Sequence, residues 1–434
     1  LILPSARAFR LWGVATLFLV CGWIVPELIV PGFLADVLIL VLVAVDGWLA
    51  RGHVVTLRRS LPPTAYQGEP TPLTVAVENP ETRPLHLRLR EVLPAPLADH
   101  AVSLDLRVPP RSVAEEHLTL VPVARDTVTL GSAALRVAGP LGLAWAERRA
   151  GDPVTVRIYP RIHHDGEAGR LIRAALERRD GAHVQLRAGP STEVASLREY
   201  LPGDDYRAIA WKSTARRGRP VVGERAWEQR QRLAVLIDAG RPMSGTDGAW
   251  SKLDHALASA LALARVAVAW GDDVTIVLFS RALRKVVRTG GRTRDFAAVF
   301  EALHREQADA LEPDWGAMVG WCSSGLPRRT TTVVCTSIVD PGTTDRLAAA
   351  LGALASRHRP LLVNLADPAV AAAARAVPTE PLAAFAQVTA LGIEEGTRAL
   401  ELRLRAVGVA SVSVPADRLT LGMLRSWMEL TGRG

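Results

Sequence analysis

Two apolar runs open the chain. Phe9 to Val25 (FRLWGVATLFLVCGWIV) is apolar apart from Arg10, and Phe33 to Ala50 (FLADVLILVLVAVDGWLA) is interrupted by Asp36 and Asp46. Each is about 17–18 residues, the short end of what crosses a bilayer. The PELIVPG between them holds two prolines and a glycine, which predict a tight turn with no helix. Arg7 and Arg10 precede the first run, Arg51, Arg58 and Arg59 follow the second, and the turn carries Glu27 and no basic residue. The positive-inside rule then predicts a transmembrane helical hairpin over residues 1–52, with spans at about 9–25 and 33–50 and both ends in the cytoplasm. A signal peptide would need a small-residue cleavage site after the first run; a second apolar run follows instead. Asp46 lies within about a turn of the cytoplasmic end and is expected to reach water.

From about residue 53 to 160 the pattern has period two. Leu73, Val75 and Val77 alternate with polar or small residues, as do Leu85, Leu87 and Leu89, and then Leu104, Leu106 and Val108. Pro62-Pro63, Gly68, Asn79-Pro80, Pro94 and Pro109-Pro110 punctuate them. Short alternating strands between proline-rich turns predict an all-β sandwich with nothing catalytic in it. Residues 161–231 follow as a linker, with a short basic helix at about Gly169 to Arg179.

From Arg232 the pattern changes again. RLAVLID, DVTIVLFS, TTVVCTSIV and PLLVNLA are near-continuous apolar strands, and ASVSV is a last one. Helical stretches at Leu253–Trp270, Thr293–Asp309, Thr344–Arg357, Ala369–Arg405 and Leu419–Leu430 lie between and after them, and Arg281–Thr289 adds an edge strand. Buried strands each followed by a helix predict an α/β doubly wound domain over 232–434. Ligands of such sheets bind at the carboxyl ends of the strands, which points to Asp238, Ser280, Thr336, Ser337 and Asp367.

Charge sharpens one segment. The chain's net charge is +8, and Arg198 to Arg232 holds nine Lys/Arg against five Asp/Glu, half of that excess. A basic chain beside a membrane has anionic lipid as its simplest counterpart, and the aromatics near these arginines are too few to suggest nucleic acid. Cys21, Cys322 and Cys335 form no metal-ligand spacing and no disulfide framework. G-x-S-x-G, H-E-x-x-H, P-loop and G-x-G-x-x-G patterns are absent.

The stretch REYLPGDDYRAIAWKSTARRGRPVVGE, followed by a strand ending in Asp238, resembles the signature of the bacterial domain-of-unknown-function family fifty-eight. GPLGLAWAERR and VRIYPRI extend the resemblance along the chain. It implies a membrane hairpin, a β-sandwich and a domain similar to the von Willebrand factor A domain. The implied partners are a MoxR-type AAA+ ATPase and a transglutaminase-like membrane protein; no reaction is implied. Ala210 stands where related sequences commonly have histidine.

The same resemblance raises a metal question. Von Willebrand A domains often hold Mg²⁺ through D-x-S-x-S, a threonine and a further aspartate. Here the motif reads Asp238-Ala239-Gly240-Arg241-Pro242, both serine positions lack side-chain oxygens, Ser244 comes too late and Asp340 is displaced. Asp238 alone would dehydrate Mg²⁺ poorly. The expectation is a membrane-tethered scaffold or adaptor of the inner membrane, multi-pass, without catalysis or a required cofactor. Its interaction surface comprises Arg198, Glu199, Asp204, Asp205, Arg207, Lys212, Arg216, Arg217 and Arg219. Trp211 and Tyr200 are assigned to packing. The alternative is a metal-dependent hydrolase using Asp238 with His163 or His164.

Overall fold

The computed structural model describes residues 1–97, 101–162, 166–181, 194–201, 206, 209–225, 231–290 and 296–433; for 178–181, 194–198, 217 and 223–225 only the backbone is described. The chain divides after Arg161 into two units, Leu1–Arg161 and Ile162–Gly434.

The first unit starts with a short strand, Ile2–Pro4 (β1), and two helices, Ala6–Cys21 (α1) and Ile29–Gly52 (α2). Strands follow at Thr56–Ser60 (β2), Thr64–Tyr66 (β3), Thr71–Asn79 (β4), Leu85–Glu91 (β5), Val102–Val108 (β6), Ser112–Leu120 (β7), Asp126–Leu130 (β8), Ala133–Ala138 (β9), Ala144–Ala150 (β10) and Val154–Tyr159 (β11). They form sheets ordered β1-β10-β9-β5-β6, β2-β4-β7 and β3-β11-β8. The period-two pattern turns Leu73, Val75 and Val77 of β4, Leu85, Leu87 and Leu89 of β5, and Val156 and Ile158 of β11 into one apolar core.

The helices depart from expectation. Among the described residues one helix, Pro26–Gly52 with its 3₁₀ first turn, is long and apolar enough to cross a membrane. At 16 residues, α1 rises only about 24 Å against a hydrocarbon core of ~30 Å. The predicted loop is also largely helical. Pro26 opens the 3₁₀ turn and Pro31 falls in the first turn of α2, where its missing N–H costs no helical hydrogen bond.

Asp46 does not reach water. It is fully buried, and its carboxylate accepts backbone N–H groups from Leu141, Leu143 and Ala144, at 2.7, 2.7 and 2.8 Å. These belong to the turn between β9 and β10, in the GPLGLA segment, whose Gly142 has φ +70°. Strand β1 pairs antiparallel with β10, and Ser5 caps α1 while donating its hydroxyl to Gly142 O. Both ends of the helical pair are therefore fastened to one sheet. Arg59, one of the basic residues that follow the second apolar run, pairs at 2.7 Å with Glu91 inside the unit, the two side chains 1 and 2% exposed.

The second unit contains Gly166–Gly181 (α3), Val194–Glu199 (β12), Trp211–Arg217 (α4), Val221–Arg225 (β13), Arg232–Asp238 (β14), Thr246–Asp247 (β15), Trp250–Ser251 (β16) and Lys252–Ala269 (α5). It continues through Asp273–Phe279 (β17), Leu283–Thr289 (β18), Phe296–Leu303 (α6), Trp315–Gly325 (α7), Thr331–Thr336 (β19), Thr344–Ala355 (α8) and Arg359–Leu365 (β20). Pro368–Arg375 (α9), Pro381–Ala406 (α10), Ala410–Val414 (β21) and Leu419–Thr431 (α11) complete it. The main sheet runs β18-β17-β14-β19-β20-β21, parallel except for the antiparallel edge β18. Leu233, Val235 and Ile237 face a core shared with α3, α5 and α11, whereas Ala234 and Leu236 face one shared with α7, α8 and α10. Helices thus cover both faces, which is why the strands read as unbroken apolar runs.

Three elements differ from the sequence reading. Helix α3 is no linker: Ile172 and Ala175 enter the core, and the Trp270 indole donates to Ala175 O at 2.7 Å. Helix α7 escaped notice because glycines and serines interrupt its pattern, although Trp315, Met318 and Cys322 are buried at i, i+3 and i+7. The long helix expected over Ala369–Arg405 is broken into α9 and α10 around Pro378 and Pro381.

Candidate functional site at the reversal of strand order

From β14 the chain builds outward to β17 and β18, then returns to β19 on the other side of β14 and builds the opposite way. The carboxyl ends of β14 and β19 flank the point where that order reverses, the place where open α/β sheets form a crevice. Asp238 ends β14, Thr336 ends β19, and Asp367 follows β20. The structure brings these three strand ends together through a chain of polar contacts.

Asp238 is fully buried. One carboxylate oxygen accepts the Gly240 N–H at 2.7 Å and the other the Thr336 hydroxyl at 2.7 Å. Burial pushes its pKa up to about 6, the two hydrogen bonds resist that rise, and the negative charges of Glu312 and Asp309 add to it. Gly240 is obligatory here, since a Cβ would lie 2.5 Å from Leu311 O. A serine at this motif position would meet that carbonyl.

Next to Thr336, the Ser337 hydroxyl donates to Leu365 O at 2.9 Å and accepts from the Lys252 ammonium at 3.2 Å. Lys252 also pairs with Asp367 at 2.9 Å. Burial alone would raise the Asp367 pKa, but the Lys252 contact and the Ala369 N–H hold it below the ordinary carboxylate value. Further along, Ser280 donates to Asp309 at 2.7 Å. Sequence reasoning pointed to Thr336 but missed Lys252 and Asp309 as partners of this network. A lysine opening an otherwise apolar helix was the available signal for the first.

The oxygen set does not suit a divalent metal. Both Asp238 oxygens already face protein donors, Ser337 and Asp367 face an ammonium, and Asp340 accepts from Gly342 N in its own turn. Among the described residues no group of three or more His, Cys, Asp or Glu is placed to hold a metal. His163 and His164 lie outside the described residues. Buried Cys335, its thiol pKa pushed to about 12 by burial and by Asp238, is a packing residue and no nucleophile at neutral pH.

A groove of about 800 Å³ opens between α7 and α8, over Leu311, Pro313, Trp315 and Val319. Its acids are already engaged: Glu312 pairs with Arg241, and Asp314 caps α7 by accepting from Ala317 N.

The signature segment folds as an antiparallel ribbon of β12 and β13 with α4 between them. Buried Val221 and Val222 hold the ribbon down, and Thr214 accepts the Val221 N–H. Ala210 occupies the N-cap of α4 and offers no side-chain acceptor. Trp211 is 69% exposed and so fills no core gap, contrary to its packing assignment, while Tyr200 is half-buried. Lys212, Arg216 and Arg219 are exposed, and Arg219 pairs with Glu199. Asp204, Asp205 and Arg207 lie outside the described residues; Arg198 and Arg217 are described by backbone alone.

Residues 196–377 match the family described as protein of unknown function DUF58. The match runs from the ribbon through α9 and includes the whole polar network. Uncharacterized proteins of Mycobacterium bovis and of two Mycobacterium tuberculosis strains are 25% identical over 190 residues, 43% of this chain and 59% of each relative. The chain thus spans about three fifths of the length of the curated relatives it matches. Among solved structures, proximal thread matrix protein 1 of the mussel byssus aligns over 46% of this chain and 47% of its own, with 8% identity and a TM-score of 0.27. A Listeria innocua beta-glucosidase aligns over 25% and 16%, with 13% identity and a TM-score of 0.15. Neither likeness bears on the fold.

Proposed function

We propose that this protein is a membrane-tethered adaptor. Its helical pair anchors it, its β unit serves as a spacer, and its α/β unit is a von Willebrand A-like domain that recruits a protein partner to the bilayer. The strand order with one antiparallel edge supports that domain reading. The anchor reading is supported by uncovered apolar side chains on both helices, among them Phe9, Leu17, Phe18, Phe33, Leu34, Leu38 and Val41. Because both ends of the pair are fastened to one sheet, beside exposed Arg7, Arg10 and Arg51, the soluble parts fit the cytoplasmic side of the inner membrane.

The observation that carries the adaptor reading is α4. A tryptophan exposed beside Lys212 and Arg216 has the composition of an interface hot spot. A MoxR-type AAA+ ATPase is the partner the signature points to, with a transglutaminase-like membrane protein as a further member of the assembly. The protein performs no reaction of its own in this reading.

Binding of a MoxR-type ATPase to the full chain in nanodiscs tests it. Trp211→Ala with Arg216→Ala should weaken binding on the order of tenfold or more. Trp211→Ala alone should change stability by less than about 0.5 kcal/mol, as befits an exposed side chain. Unchanged binding by the double variant would remove α4 from the interface, and no binding by the unaltered chain would remove this partner.

A further inference from the structure

Lys252 occupies a position that two physical effects oppose. It is the first residue of α5, where the helix dipole presents its positive end, and it is only 4% exposed. Lysine is rarely buried without a compensating anion. Here the compensation is specific: Asp367 at 2.9 Å and the Ser337 hydroxyl at 3.2 Å, from the loops that follow β20 and β19. The side chain passes beside Gly245, whose ideal Cβ position is 3.5 Å from Lys252 Cε. The backbone N–H of Lys252 is bound to Gly245 O at 2.8 Å. The loop after β14, which would present metal-binding serines in a D-x-S-x-S site, is thus bound to the lysine itself.

We propose that the Lys252 ammonium is the resident cation of this crevice, in place of the divalent metal that similar crevices use. Three observations combine in it. The hydroxyl and carboxylate oxygens beside Lys252 are turned toward its nitrogen. Each oxygen of the Asp238 carboxylate already accepts a protein donor, Gly240 N–H on one and the Thr336 hydroxyl on the other. The Gly240 position admits no side chain that could restore a ligand. Mg²⁺ requires about six oxygens in near-octahedral order, and this crevice presents its oxygens to N–H and O–H donors. The strand ends are consequently held together without metal, and their geometry is independent of divalent-ion supply.

The test uses the full chain in detergent. Its thermal midpoint should be the same in millimolar Mn²⁺, millimolar Mg²⁺ and EDTA. Lys252→Met, which keeps the stem and deletes the charge, should lower the midpoint by roughly 5 °C or more, because Asp367 loses its counter-ion. Asp367→Asn introduced into Lys252→Met should recover at least about half of that loss, a coupling that packing alone would not produce. If Lys252→Met fails to fold, the single variant Asp367→Asn should still lower the midpoint, since it leaves the ammonium unpaired. A midpoint of the unaltered chain that rises with Mn²⁺, a Lys252→Met midpoint equal to the unaltered one, absent recovery in the double variant, or an unaffected Asp367→Asn would each overturn the proposal.

Discussion

The carboxylate of Asp46 accepts the backbone N–H of Leu143 at 2.7 Å, although 97 residues separate them in the chain. With Leu141 and Ala144 it makes one acidic side chain of α2 the cap of a turn in the β unit. Gly139 gives it room, since a Cβ there would lie 2.3 Å from the Asp46 carboxyl carbon. An ionisable group inside an apolar helix thus serves as a fastening between helix and sheet.

Asp46→Ala leaves two buried amides and one part-buried amide without their acceptor and should destabilise the protein by about 3 kcal/mol. Gly139→Ala should act on the same contact, so the two losses should be less than additive when combined. Urea denaturation of the detergent-solubilised chain measures both. Full additivity would show that the contact does not couple them.

The buried Arg59–Glu91 pair should behave asymmetrically. Arg59 also donates to Gly131 O at 2.6 Å, and burial raises the Glu91 pKa despite the adjacent guanidinium. Arg59→Met should cost about 3–5 kcal/mol, because it strands a buried carboxylate, whereas Arg59→Met with Glu91→Leu should cost much less. Equal losses in the single and double variants would place the stabilisation in packing and not in charge.

Asp238 gives the protein a specific pH dependence. Its carboxyl has an ordinary value of 3.8 and titrates at about 6 in the fold. Between about pH 4 and pH 6 the folded state keeps a proton that the unfolded state releases. Stability therefore falls as pH rises through that window, by about 3 kcal/mol from this group, and stays reduced above it. Asp238→Asn should flatten this part of the profile and be the more stable form at pH 7. Denaturation curves at a series of pH values check this, and an unchanged slope in the variant would refute it.

Membrane attachment should depend on the outward face of α2. Leu38 and Val41 are exposed on it, and an arginine at either costs about 2.5–3.5 kcal/mol at the centre of a bilayer. Leu38→Arg with Val41→Arg should shift the chain from the carbonate-resistant membrane fraction to the soluble one. Retention in the membrane fraction would argue that α2 does not span.

Local pattern determined a great deal of this protein. Alternation at Leu73, Val75 and Val77 named the buried face of β4, and unbroken apolar runs named β14, β17, β19 and β20, because periodicity is written in consecutive residues. The signature segment pointed to the family that residues 196–377 match. What sequence left open depended on residues far apart in the chain. Asp46 looked like a group near water until the GPLGLA turn supplied three amides, and Trp211 like a core residue until α4 faced outward. The crevice is the clearest case. Asp238 was visible as the end of a strand, but only the parallel register of β14, β19 and β20 brings Thr336, Ser337 and Asp367 beside it and Lys252. The chemistry of the site lies in that register, since hydrogen bonds and ion pairs act over about 3 Å, a distance that only the folded chain creates.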